Sequence, residues 1–217
     1  MHRRLAVGTC ALFVASCIPS IPSHELVTQY NEDGVLLFER GDYIHAQQSF
    51  EAAQKLTPDD AAILYNLAQC SDRLGDANRA ELLYRECLTR APNHAACRHA
   101  LAQLWVRAGR QAEAERMIED WLIREPKLSG PYAEDGWLWH LRGDLPKAHS
   151  RLQSALQIDP RDVRALTELA LVFEEMQRAD RALVLYERIL EVNPRQPEIV
   201  RRLDELKAQG VKPPKPE

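Results

Sequence analysis

Proline recurs at a fixed interval through most of this chain. Pro58, Pro92, Pro126, Pro160 and Pro194 stand 34 residues apart. With proline near 5% of residues on average, five in one such column arise by chance with a probability of about 10⁻⁷ per register. The interval carries three more columns: Ala46, Ala80, Ala114, Ala148 and Ala182; Gly34, Ala68, Ala102, Gly136 and Ala170; and Gly41, Gly75, Gly109, Gly143 and finally Gln177. A period of this size means one supersecondary unit built five times and stacked, because a single unit cannot bury its own apolar face.

Each column has a physical task. Gly41 and its equivalents allow the left-handed conformation that ends a helix. Asp42, Asp76 and Asp144 follow as caps for the next helix. The small residues of the other two columns let paired helices approach closely, and the prolines stop the second helix of each unit. Between the breaks, apolar residues keep helical spacing, as in Leu166, Leu169 and Phe173. The composition is 45% apolar and only 6% aromatic, which suits packed helices. The spacing predicts no sheet.

A 34-residue helix–turn–helix unit with these landmarks resembles the tetratricopeptide repeat, most clearly over residues 61–94, where Leu64, Leu67-Ala68, Gly75, Ala80, Tyr84 and Pro92 follow in order. The resemblance implies an all-α solenoid of five copies, 27–60, 61–94, 95–128, 129–162 and 163–196. Ile199, Leu203 and Leu206 form a single apolar stripe on a capping helix over 197–209, and residues 210–217 make a proline-rich tail. The copies are imperfect. Asp33 and Asp135 replace a core Leu, Cys87 and Trp121 replace a small residue, and Pro146 falls in the first turn of a second helix. Repeats one and four are therefore expected to pack unusually.

The N-terminus has a different pattern. Met1-His2-Arg3-Arg4 precedes a short apolar stretch, the layout of a signal peptide over residues 1–16. Val14-Ala15-Ser16-Cys17 resembles the bacterial lipobox. That resemblance implies a lipid on Cys17, a short linker over 17–26, and a periplasm-facing position in the cell envelope. Ile18 after the cysteine inclines it to the outer membrane. The alternative is plain cleavage at the same bond, giving a secreted or periplasmic protein. Removing Arg3 and Arg4 takes the net charge from −4 to −6. A mildly acidic domain without a basic stripe argues against nucleic acid as a partner.

Among tetratricopeptide repeats the first helices line a groove that takes a protein or peptide ligand. Here that face carries Phe38, Tyr65, Gln69, His99, Gln103, Trp137 and His140. A helical step of two residues turns the chain by about 200°. The reading therefore places Trp137 exposed in the groove, with Trp105 and Trp139 in the core. The carboxylate-gripping variant of this groove is not matched: of its residues only Asn66 is in place, while Asn31, Val35, Ala96 and Ala100 occupy the others.

The resemblance implies a non-catalytic scaffold in the envelope, such as one that assists assembly of a secretion or pilus channel, with no cofactor and no metal. The competing reading is an accessory or metal-dependent hydrolytic component carried on the solenoid. Its sequence basis is the cluster His94, Cys97 and His99, although helical geometry points Cys97 and His99 apart. Cys70, Cys87 and Cys97 form no Cys-x-x-Cys pair. Cys87 and Cys97 are expected to face each other across a turn, where a disulfide depends on the separation of their alpha-carbons.

Overall fold

The computed structural model describes residues 23–214. Among them are eleven α-helices and no strand. Five pairs follow one another: α1 (Ser23–Glu39) with α2 (Tyr43–Leu56), α3 (Ala61–Arg73) with α4 (Ala77–Arg90), α5 (Ala95–Arg107) with α6 (Gln111–Arg124), α7 (Ser129–Leu141) with α8 (Leu145–Ile158), and α9 (Val163–Glu175) with α10 (Ala179–Val192). A last helix, α11 (Pro197–Ala208), closes the series. From α3 to α10, first helices have 13 residues and second helices 14, joined by short turns that complete the period. The first helix departs from this. It has 17 residues and begins at Ser23, inside the stretch assigned from sequence to the linker.

The turns form as their residues dictate. Gly75 and Gly143 have φ of +85° and +75°, and Gln177 takes the same left-handed conformation at +61°. Asp42, Asp76 and Asp144 each accept a hydrogen bond from the backbone N–H three residues on, capping α2, α4 and α8. Pro146 lies in the first turn of α8, where its missing N–H costs nothing. The alanine column is fully buried from Ala46 to Ala182. At Gly34 and Gly136 the close approach is tight enough that a Cβ would meet Phe50 or Leu152 at 2.6 Å.

The apolar core falls into two clusters. One spans the first three repeats and takes in Trp137 and Leu138 of α7; the other holds the rest of repeat four, repeat five and the cap. Trp121, buried where a small residue is usual, has space because residue 130 is glycine: a Cβ there would lie 2.7 Å from the indole. Helix α11 is the first helix of an incomplete sixth copy. Val200, Asp204 and Lys207 replace the buried Leu166, Ala170 and Phe173 of α9 and are exposed, so the stack stops there while Leu203 and Leu206 cover its end. Among the described residues no helix is long and apolar enough to cross a membrane. Residues 1–22, with Cys17 and the signal-peptide pattern, and residues 215–217 of the tail lie outside the described part.

Candidate functional site

First helices of neighbouring repeats meet side by side, and their polar side chains pair at an offset of 35 residues, one more than the period. Asn66 donates to Asn31 at 3.1 Å, and Arg107 donates to both oxygens of Asp72 at 2.6 and 2.7 Å. His99 Nδ1 donates to Glu134 at 2.8 Å, and His140 Nε2 lies 3.0 Å from Glu175. These contacts mark the face on which a ligand would meet residues from several repeats.

Two clefts open on this face. The first, of about 270 Å³ between α1 and α3, is lined by Val35, Phe38 and Phe50 with Asn66 and Gln69. The second, of about 390 Å³ between α3 and α5, is lined by Gln69, Asp72, Arg73, Gln103 and Arg107 over Tyr84. Of the groove residues expected from sequence, Phe38, Gln69 and Gln103 line these clefts. Tyr65 borders them: it accepts a hydrogen bond from the Gln69 amide and packs its ring on His94 at 5.0 Å.

The other three are drawn into the wall. His99 is buried, and its ring meets Trp137 edge to face at 4.8 Å. Trp137 is only 6% exposed, which reverses the expectation that it would be an exposed anchor. Its partner in that comparison, Trp139, is only half-buried, and its ring lies 4.5 Å from the Arg142 guanidinium and 4.1 Å from the Lys147 ammonium. The separation of about 200° is sound, but a first helix in a stack has neighbours on more than one side. Trp137 packs back on the preceding repeat, and Trp139 packs under cations at the edge. Trp105 is buried as expected, with Arg85 and Arg110 over its ring.

His140 is held between two carboxylates, with Nδ1 3.0 Å from Glu168 and Nε2 3.0 Å from Glu175. A carboxylate only accepts, so Nδ1 donates to Glu168. Burial lowers its pKa, but the bonds to Glu168 and Glu175 outweigh that and hold it above its usual value.

Sequence reasoning missed Glu134, which is fully buried between His99 and the Arg164 Nε at 3.0 Å and ties repeats three, four and five together. No period in one helix signals it, because its partners lie on two others. It also missed Arg73 and Arg107, which have a signal: they stand one period apart, as do Gln69 and Gln103.

The residues of the hydrolytic reading do not converge. His94 caps α5 by accepting from the Cys97 N–H at 3.1 Å, the Cys97 thiol donates to the Tyr84 carbonyl at 3.3 Å, and His99 turns to Glu134. Among the described residues no three His, Cys, Asp or Glu side chains group as metal ligands. All three thiols of the described part are free and buried. Burial pushes the Cys70 thiol up to about 11, so it resists becoming a thiolate.

The tetratricopeptide repeat family matches residues 37–195. The chain is a tetratricopeptide repeat protein. Subunit 4 of the outer dynein arm-docking complex of Danio rerio is 43% identical over 53 residues, which are 24% of this chain and 11% of that protein. The match thus spans a small part of that relative and reflects the shared repeat. A tetratricopeptide protein of Thermus thermophilus is similar in structure, with a TM-score of 0.65 and 25% identity over 84% of this chain and 99% of that one. The Pseudomonas aeruginosa protein PilF shares the fold, with a TM-score of 0.56 and 15% identity over 87% of this chain and 88% of its own. Tetratricopeptide repeats are protein-interaction modules that bind peptide or protein partners in the groove, and this chain has that fold.

Proposed function

We propose that this tetratricopeptide protein is a non-catalytic scaffold of the bacterial envelope, tethered by a lipid on Cys17, that holds a protein or peptide partner in the groove of its first three repeats. The observation that carries the groove assignment is the pair of adjoining clefts, open to solvent and sharing Gln69. They offer apolar surface and hydrogen-bonding groups within one continuous strip, the mixture a recognition surface needs. The tether rests on Val14-Ala15-Ser16-Cys17 and the basic and apolar residues before it. Assembly of a secretion or pilus channel is the kind of task this arrangement suits.

Two measurements test the reading. Cys17→Ala should move the protein from the membrane to the soluble fraction or leave it unprocessed, and mass spectrometry of native protein should find lipid on Cys17. An unmodified Cys17 N-terminus in protein extracted from its own envelope would refute the tether. For the groove, Gln69→Trp should fill both clefts. Partners cross-linked in the envelope should be lost from this variant, whereas an unchanged partner set removes the groove from the function.

A further inference from the structure

The two clefts differ in chemistry, and a single side chain links them. Arg73 lines the second cleft, and its guanidinium lies 5.8 Å from the Phe38 ring of the first and 5.9 Å from that of Tyr43. Stacking on aromatic faces holds a guanidinium in place without neutralising it. The other arginine of the cleft is neutralised: Arg107 is bound to Asp72 through two contacts. Arg73 is exposed and makes no ion pair among the described residues. The second cleft therefore has one uncommitted positive charge, set beside the first cleft, where Val35, Phe38 and Phe50 form a hollow with the exposed Glu39 on its rim.

The amides fit the same ligand. Gln69 and Gln103 stand one period apart on stacked helices, so they offer hydrogen bonds to a chain that crosses both. Packed helices lie about 8–10 Å apart, and an extended strand advances ~3.3 Å per residue. One repeat thus corresponds to about three ligand residues.

We infer that the groove of repeats one to three takes an extended peptide in which a bulky apolar side chain fills the α1–α3 cleft and a carboxylate within about three residues of it binds Arg73. This rests on the groove reading above and narrows its ligand. The carboxylate has two sources, an Asp or Glu side chain or a free C-terminus, and either satisfies the guanidinium.

The test is to pan displayed random twelve-residue peptides against the full chain, then measure synthetic copies by fluorescence anisotropy. Selected peptides should pair a large apolar residue with an acidic group within three positions. Arg73→Gln should weaken them at least tenfold, Arg73→Lys should retain most of the binding, and raising the salt should weaken wild-type binding more than that of Arg73→Gln. Peptides with free and amidated C-termini separate the two carboxylate sources. Arg73 is exposed, so melting curves of its variants should match wild type and exclude unfolding. Peptides that Gln69→Trp abolishes but Arg73→Gln leaves unchanged would overturn this inference and keep the groove. Peptides insensitive to both would overturn the groove as well.

Discussion

The second and fourth repeats have helices of the same lengths and turns of the same conformation, yet they are filled differently. Repeat two buries Leu64, Leu67 and Ala68 of α3 against Leu83 and Tyr84 of α4. At the positions of Leu67 and Leu83, repeat four has Asp135 and Arg151, paired at 2.8 Å. At the position of Gln69, on the groove, it has Trp137, and at that of Asn66 it has the buried Glu134. Repeat two therefore presents an open cleft, whereas repeat four has its groove face filled from within. The period fixes the backbone, because each unit must return the chain to the same place for the next to stack. It leaves the filling to local compensation: an ion pair substitutes for a leucine pair, and a tryptophan closes the strip that glutamine leaves open.

The largest expected effect tests whether Trp137 belongs to the wall. Trp137→Ala should cost about 3–5 kcal/mol, the range for a buried aromatic. Trp139→Ala should cost less, about 1–2 kcal/mol, since its half-buried ring packs at the margin of the second core cluster beneath two cations. Chemical denaturation of the two variants reads this directly, and equal losses would mean that the two rings are not packed differently. Next come the turns. Gly75→Ala and Gly143→Ala should each cost about 1–2 kcal/mol, the penalty for a side chain in the left-handed region. The two costs should agree, because nothing lies within 4 Å of either added Cβ and the filling of the repeat does not reach the turn. Unequal costs would break the view that backbone and filling are separable.

The smallest effect grafts one repeat onto the other. Asp135→Leu with Arg151→Leu gives repeat four the pair that repeat two uses, and should stabilise by about 1 kcal/mol at neutral pH, at the low end for replacing an ion pair because Arg151 is well exposed. Either single change should be worse than the double. The pH dependence has a defined sign. Burial raises the Asp135 pKa above 3.8, against the opposing pull of Arg151 and Arg142. A raised folded value gives a contribution present below the ordinary carboxylate range and lost as pH rises through the folded value. The advantage of the graft should accordingly be largest at neutral pH and shrink in acid. Urea midpoints of both proteins at two pH values check it, and an advantage that grows in acid would contradict the burial of Asp135.

Much of this architecture is legible in the chain of residues itself. The proline column and the glycines at 41, 75, 109 and 143 locate the helix breaks from residue 40 to 160 and the one at 194, while the α9–α10 break falls on Gln177 without a glycine; Asp42, Asp76 and Asp144 cap as their positions suggest. These features are local: a cap bonds an N–H three residues away, and a glycine turn depends on one φ angle. The start of the first repeat is less legible, since α1 continues back to Ser23 with no break signal in the sequence there. The family also follows from the period.

What the tertiary structure decided lies between repeats. Helical spacing gives the direction of a side chain around its own axis, and by that measure Trp137 and Trp139 are correctly set far apart. It does not say which direction meets solvent, because a first helix in the stack is flanked by first helices on either side as well as by its own partner. Whether Trp137 is covered depends on His99 in the preceding repeat, and whether Glu134 is tolerated in the interior depends on His99 and Arg164 in two different helices. Those partners stand 30 to 38 residues away, beyond any pattern that a single helix can express, so the sequence determined the frame and the packing of neighbouring repeats determined which part of its groove stays open.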